Sequence, residues 1–260
     1  MSGPFITFLS DYGLEDDFVG VCHGVIAGIC PEATVIDLTH GIARGDVRAG
    51  ALILRNGLRY VPRGVHLAVV DPGVGSDRRG VALRLADGRL LVGPDNGLLS
   101  LAAEAGGGVA EAVDIGASPF ALEPVSATFH GRDIFAPVAA HLAGGAALAD
   151  AGPLLDPGAL VSVQLSRAQV VDGVLVAHVV YVDRFGNVQL DVEEPAFAPG
   201  VAFEVAGERA RCLRTFADAD TGELFLYEDS LRRLAVAVNQ GDAAARLGVA
   251  VGDELRIRPA

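Results

Sequence analysis

The period of the apolar positions changes part-way along the chain. Up to about residue 165, short β-branched runs alternate with segments whose apolar residues recur at helical spacing. Residues 5–9 predict a first strand leading into Asp11. Residues 16–29 predict a helix with Asp16 and Asp17 in its first turn, where the helix dipole favours acidic groups. A strand at 34–38 and a helix at 47–60 follow, then a strand at 66–70 that is β-branched and apolar enough for the interior of a parallel sheet. The runs 81–85 and 90–92 are joined by Asp87-Gly88 in the manner of a hairpin. Residues 131–142 predict a helix that Pro137 either bends or starts. Repeated strand–helix units of this kind predict a three-layer α/β domain over residues 1–165 with a mainly parallel central sheet.

After about Ser166 the runs shorten and alternate. Segments 175–182, 188–192, 202–205, 211–215, 224–227 and 234–238 are separated by Gly, Pro, Asn and Asp. Such spacing predicts a smaller antiparallel β-barrel-like domain over residues 166–260, approached through the Ala-, Gly- and Pro-rich stretch 144–158.

Composition narrows the functions available. The chain has 260 residues, 51% of them hydrophobic, which excludes a disordered chain. Its net charge of −13 argues against nucleic acid or an anionic membrane as partner. All 20 basic residues are arginine, so a Schiff-base lysine and a Walker phosphate lysine are excluded. With no tryptophan, any stacking on a purine falls to Phe, Tyr or aliphatic side chains. Cys22, Cys30 and Cys212 form no CxxC pair, and His23, His40, His66, His141 and His178 follow no metal-ligand motif such as H-E-x-x-H. These residues are read as structural, with no metal expected. No signal segment or membrane span is apparent, which predicts a soluble cytoplasmic protein.

Two charged turns stand out. The first, Asp71-Pro72-Gly73-Val74-Gly75-Ser76-Asp77-Arg78-Arg79, follows the buried strand at 66–70. Asp71 then sits at the carboxyl end of a parallel strand, where open α/β sheets place their ligands, and the tight turn can return Arg78 towards it. The second, Thr128-Phe129-His130-Gly131-Arg132-Asp133, opens the helix at 131–142. Either turn alone reads most simply as a solvent-facing turn with a surface ion pair. Together they supply a carboxylate, a guanidinium and an imidazole able to orient a small nucleophile. Asp11 lies at the same predicted sheet edge and could accept hydrogen bonds from the two hydroxyls of a ribose.

Five segments in order, Phe8-Leu9-Ser10-Asp11-Tyr12-Gly13, Val70-Asp71-Pro72-Gly73-Val74-Gly75, Gly93-Pro94-Asp95-Asn96-Gly97-Leu98-Leu99, Phe129-His130-Gly131-Arg132-Asp133 and Asp183-Arg184-Phe185-Gly186-Asn187, resemble the S-adenosylmethionine hydroxide adenosyltransferases. These relatives of the fluorinases and chlorinases are matched from Phe5 to about Arg258. The resemblance implies a catalytic set of Asp71, Arg78 and His130, with Arg79 the competitor for Arg78. It implies substrate contacts from Asp11 to ribose, Asp183 to the substrate ammonium, Phe185 and Asn187 to adenine, and Ser230 to the methionine carboxylate. Asn239 and Gln240 are further candidates for adenine. Leu231-Arg232-Arg233 departs from the family pattern.

The implied reaction is attack of water on ribose C5′ of S-adenosyl-L-methionine, giving adenosine and L-methionine without cofactor. His130 is the candidate for accepting or relaying the proton. In the related halogenases a serine stands at the position of Gly131 and a threonine at that of Val74, so the hydroxyl donors for a halide are missing here. Halide substitution at C5′ and a non-catalytic adenosine-binding sensor are the alternatives. The resemblance also implies a homotrimer, with substrate held between the first domain of one subunit and the second domain of another.

Overall fold

In the computed structural model, which describes residues 3–195 and 197–260, the early alternating runs form a seven-stranded sheet. Its strands are β1 (Phe5–Ser10), β2 (Thr34–Thr39), β3 (Val65–Val69), β4 (Gly80–Leu85), β5 (Leu90–Pro94), β6 (Val109–Asp114) and β7 (Leu154–Leu155), in the order β2-β1-β3-β5-β4-β6-β7. The first four in that order run parallel, while β4, β6 and β7 add antiparallel pairings.

Side chains on successive strand residues point to opposite faces, and both faces here are apolar. Ile6, Phe8, Val65, Leu67 and Val69 pack with Cys22 and Ile26 of α1 (Phe18–Ile29) and with Val138 and Ala139 of α4 (Ala136–Ala143). Leu9, Ala68 and Val70 pack on the other face with Leu54 of α2 (Val47–Gly57) and Ala102 of α3 (Ser100–Ala105). Three layers follow from that double-sided burial, each fully buried large side chain contributing about 1.5–3 kcal/mol.

Local details differ from the sequence reading. Helix α1 begins at Phe18, so Asp16 and Asp17 lie ahead of it, and the Asp17 side chain makes no capping bond. Asp95-Asn96-Gly97, whose composition suits a hairpin turn, links β5 to α3. The helix expected from residue 131 starts as a π turn, Gly131–Phe135, and continues as α4 with Pro137 in its first turn, where a missing N–H costs nothing.

The chain divides into two compact units between Val163 and Gln164. The second unit holds β8 (Gln169–Val171), β9 (Val174–Val182), β10 (Val188–Glu193), β11 (Ala202–Val205), β12 (Glu208–Cys212), β13 (Leu224–Glu228), β14 (Arg233–Val238), a short helix α5 (Ala243–Leu247) and β15 (Glu254–Pro259). The order β10-β14-β13-β12-β11-β15-β9 closes into a barrel through the β9–β10 hairpin, and β8 extends from β9. Among the described residues of this unit, all pairings are antiparallel except β12–β13. Val179, Val188, Leu226, Val236 and Leu255 fill the interior. Closure removes the open sheet edges that could template aggregation.

Candidate active site

Strands β1 and β3 are parallel neighbours, with Ser10 opposite Val69. The residues just past their ends, Asp11 and Asp71, therefore emerge at the same sheet edge. They line a cavity of about 150 Å³ together with Tyr12, Phe18, Val74, Phe129, His130 and Gly131.

The charged turn after β3 folds back as its sequence predicts. Val74 N–H donates to the Asp71 carbonyl at 3.2 Å and Ser76 N–H to that of Gly73 at 3.1 Å. Gly75 adopts φ +78°, and a Cβ there would lie 2.6 Å from the Ala127 carbonyl oxygen. Only glycine lets the first charged turn approach the segment that carries the second.

Arg78 thereby reaches Asp71. Its Nε donates to Oδ1 at 2.8 Å and to Oδ2 at 3.0 Å, and its Nη2 pairs with Oδ2 as well. Both side chains are largely buried, so the pair is little screened by solvent. The guanidinium rests on the Phe135 ring, 5.1 Å from its centroid. The same Nη2 lies 3.0 Å from His130 Nδ1.

A guanidinium can only donate, so Nδ1 accepts and a neutral His130 carries its proton on Nε2. Burial holds the His130 pKa below its ordinary 6.5, and the Arg78 charge lowers it further against the opposing pull of Asp71 and Asp133. At neutral pH the cluster is a carboxylate, a guanidinium and a neutral imidazole offering an N–H. Arg79, the competing arginine, instead turns to the Asp95 carboxylate at 2.6 Å and the Ala159 carbonyl at 2.7 Å.

Asp11 has one oxygen committed to the Gly45 N–H at 2.8 Å, leaving the other for a ligand. Sequence reasoning did not single out Tyr12, Phe18 and Phe129, although two of them sit inside the quoted motifs. Their rings pack edge-on or tilted with centroids 5.1–5.8 Å apart and wall the cavity. Burial raises the Tyr12 pKa well above 10, so its hydroxyl stays protonated. A Cβ on Gly131 would fall 2.0 Å from that hydroxyl oxygen. A second cavity, of about 200 Å³, lies between Leu83, Leu99 and Leu160. Of its two carboxylates, Asp95 and Glu104, the first is already engaged by Arg79 and by the Val161 N–H.

In the second unit, Asp183, Phe185 and Asn187 share the β9–β10 turn. The Asp183 carboxylate accepts the Phe185 N–H at 2.8 Å, the Asn187 N–H at 3.0 Å and the Asn187 side-chain amide at 2.8 Å. This bonding fixes the loop and leaves little of the carboxylate unengaged. Phe185 is 64% exposed with the Arg184 guanidinium over its ring, whereas Asn187 is buried. Asn239 and Gln240 follow β14 at the same end of the barrel, since β14 runs antiparallel to β10 with Val236 opposite Val188. The Asn239 side chain donates to the Ala219 carbonyl at 2.8 Å, and Gln240 is exposed.

Ser230 lies at the other end of β14, exposed, in a turn closed by the Asp229 carboxylate on the Leu231 and Arg233 N–H groups. Of the departing residues, Arg233 is buried against Glu193 and Arg232 projects outward near Glu228. The sequence-predicted residues thus form one cluster in the first unit, Asp11, Asp71, Arg78 and His130, and two loop groups in the second.

Comparison with known proteins identifies the family. Residues 6–152 match the family model for the SAM hydroxide adenosyltransferase N-terminal domain and residues 177–256 that for the C-terminal domain. The chain is 51% identical to a Salinispora tropica (R)-S-adenosyl-L-methionine hydrolase, over 98% of this chain and 97% of that protein. A Thermus thermophilus protein of the same name is 40% identical over 97% and 98% of the two chains. A Nocardia brasiliensis fluorinase is 28% identical over 98% and 97%. Among solved structures, an uncharacterized conserved protein from Thermotoga maritima superposes with a TM-score of 0.88 at 38% identity, covering 97% of this chain and 99% of that one.

Proposed function

The chain belongs to the SAM hydroxide adenosyltransferase family, and from that membership we propose that it hydrolyses S-adenosyl-L-methionine at ribose C5′ to adenosine and L-methionine. The observation that carries this reading is the Asp71–Arg78–His130 cluster opening on the cavity that also presents Asp11.

The sulfonium leaves as a neutral thioether, so the leaving group needs no protonation. What the site must supply is a water oxygen about 3–3.5 Å from C5′, in line with the breaking C–S bond. Free water, with a pKa near 15.7, is not deprotonated beforehand by either group. Its protons become strongly acidic as the C–O bond forms, and a carboxylate suffices to take one at that stage. Asp71 is the acceptor in this mechanism. Because the Nδ1 lone pair of His130 is engaged by Arg78, His130 serves by donating Nε2–H to orient the water rather than by removing its proton. Arg78 holds both partners. One proton is released overall as the cationic substrate and water become two neutral molecules.

Related hydrolases are named for the (R)-epimer at sulfur, and we extend that preference to this chain. With the ribose and methionine arms both held, the two epimers exchange the sulfur lone pair and the methyl group, so a shaped site distinguishes them. Asp11 binds the ribose diol, and Tyr12, Phe18 and Phe129 line the apolar side. The remaining contacts are assigned to Asp183, Phe185, Asn187, Ser230, Asn239 and Gln240, in a homotrimer whose subunits complete each other's sites. The 150 Å³ cavity supports that assignment, being smaller than the ~300–1,000 Å³ sites that bury ligands of this size.

Turnover in oxygen-18 water, with each sulfonium epimer supplied separately, tests the reading. The expected result is adenosine labelled at the 5′-oxygen, formed faster from the (R)-epimer. Unlabelled adenosine, or a 5′-halo product in halide buffer, contradicts hydrolysis.

A further inference from the structure

Three potential ligand atoms converge outside the active-site cavity, on the outer edge of the first sheet. His23 Nε2 of α1 lies 2.9 Å from Asp37 Oδ1 of β2, and His40 Nε2, just past β2, lies 3.1 Å from the same oxygen. All three atoms fall within 4.8 Å of one another. We propose that His23, Asp37 and His40 form a binding site for a borderline divalent transition-metal ion such as Zn²⁺, with water completing the coordination.

Backbone geometry creates the cluster. Residues three apart on a regular strand face opposite sides of the sheet. The β1–β2 register, however, pairs Phe8 with Asp37 and Leu9 with Thr39, so Leu38 is an extra residue in β2. One inserted residue restores parity and brings Asp37 and His40 to the same face. Phe8, opposite Asp37, packs on the α1 side, and there His23 meets them. A spacing motif within one helix could not detect this set, because its members come from two elements and depend on a bulge.

His40 supplies the second, independent observation. Its side chain is only 3% exposed, and among the described residues its Nε2 has no hydrogen-bond partner despite its closeness to Asp37. The ring is pinned from behind, with Nδ1 2.7 Å from Ser10 Oγ and the Phe8 ring edge-on at 4.7 Å. Ser10 Oγ also accepts the Tyr12 N–H at 3.3 Å. In the tautomer whose Nδ1–H donates to Ser10 Oγ, the Nε2 lone pair of His40 faces the Asp37 carboxylate at 3.1 Å, and a cation between them would join the two by coordination. A hydroxyl behind the ligating imidazole is the outer-shell support that orients metal-bound histidines.

Two imidazoles and one carboxylate suit Zn²⁺, Co²⁺ or Ni²⁺ better than Mg²⁺ or Ca²⁺, which favour all-oxygen sites. Tetrahedral bonds near 2.0–2.1 Å place ligand atoms about 3.3 Å apart, so the two histidine–Asp37 contacts open by a few tenths of an ångström and the two imidazole nitrogens, within 4.8 Å of each other, adjust to the same spacing. His23 and Asp37 are 36% and 40% exposed, which gives the ion a route in and room for water. Bound there, it would tie α1 to the β2 edge and, through Ser10, brace the strand end that carries Asp11.

The test uses tag-free, chelator-stripped full-length protein titrated with Co²⁺ and then Zn²⁺, followed by calorimetry and by cobalt visible absorption. One equivalent of Co²⁺ should bind in the micromolar range with ligand-field bands, and Zn²⁺ should displace it. His23→Ala and Asp37→Asn should each abolish the bands while leaving turnover intact, which also certifies their fold. Ser10→Ala should weaken binding by roughly 10–100-fold. Absence of saturable micromolar binding, or binding undiminished in both ligand variants, overturns the proposal.

Discussion

His130 shows how one contact decides the role of a side chain. Had its Nδ1 been free, the neutral ring could have accepted a proton from water. The Arg78 guanidinium 3.0 Å away occupies that lone pair, and the same charge, with burial, keeps the ring neutral at physiological pH. A depressed histidine pKa sets the sign of the pH dependence. The neutral form works, so kcat should be flat above about pH 6.5 and fall only below it, as protonation puts His130⁺ against Arg78⁺. His130→Gln preserves an acceptor for Arg78 and an N–H for water but does not titrate. That variant should keep part of the rate, within roughly 10²-fold of the parent as expected for a small misplacement, and lose the acid limb of its pH–rate profile. Persistence of the limb would assign it to another group.

At the scale of elements, the site depends on where a π turn begins. Gly131 opens the turn that leads into α4, and its Cα faces Tyr12 on the loop after β1. A side chain at that position would overlap the Tyr12 hydroxyl, with a Cβ 2.0 Å from the oxygen. Tyr12 cannot easily yield, since Phe8, Phe18 and Phe129 pack around its ring. Gly131→Ser should therefore cost about 1–3 kcal/mol of stability, the usual range for overpacking, measured by urea denaturation. Adding Tyr12→Phe, which removes the colliding oxygen, should restore part of it. A fully stable single variant would show that the loop relaxes freely. The same overlap explains why a serine hydroxyl cannot simply be installed here to hold a halide.

At the scale of the whole molecule, residues proposed to touch one substrate are divided between two compact units joined near Val163. Multi-angle light scattering should give a trimeric mass, and turnover per subunit should fall on dilution below the association range. A monomer of full activity would refute the shared-site assembly and leave the hydrolytic chemistry standing.

Apolar patterning along the chain was enough to set the architecture of both units. Apolar runs with a two-residue period on both faces require helices above and below a sheet, as Phe8 and Leu9 show by packing into opposite layers. The shorter runs after Ser166 require closure, because isolated strands of that length cannot bury their interiors alone. That patterning also placed Asp11 and Asp71 at one sheet edge, since strand ends of a parallel sheet share it, whereas His130 joined them only through the family resemblance. Boundaries fixed by longer-range forces were not legible. Asp95-Asn96-Gly97 has the composition of a hairpin but turns into α3, where Leu101 and Ala102 find a core to bury in. Long-range packing settles which arginine meets Asp71, which nitrogen of His130 is free and that an inserted Leu38 gathers His23, Asp37 and His40. Each depends on a contact between distant segments, at a tolerance of a few tenths of an ångström, and local residue patterns carry no information at that distance.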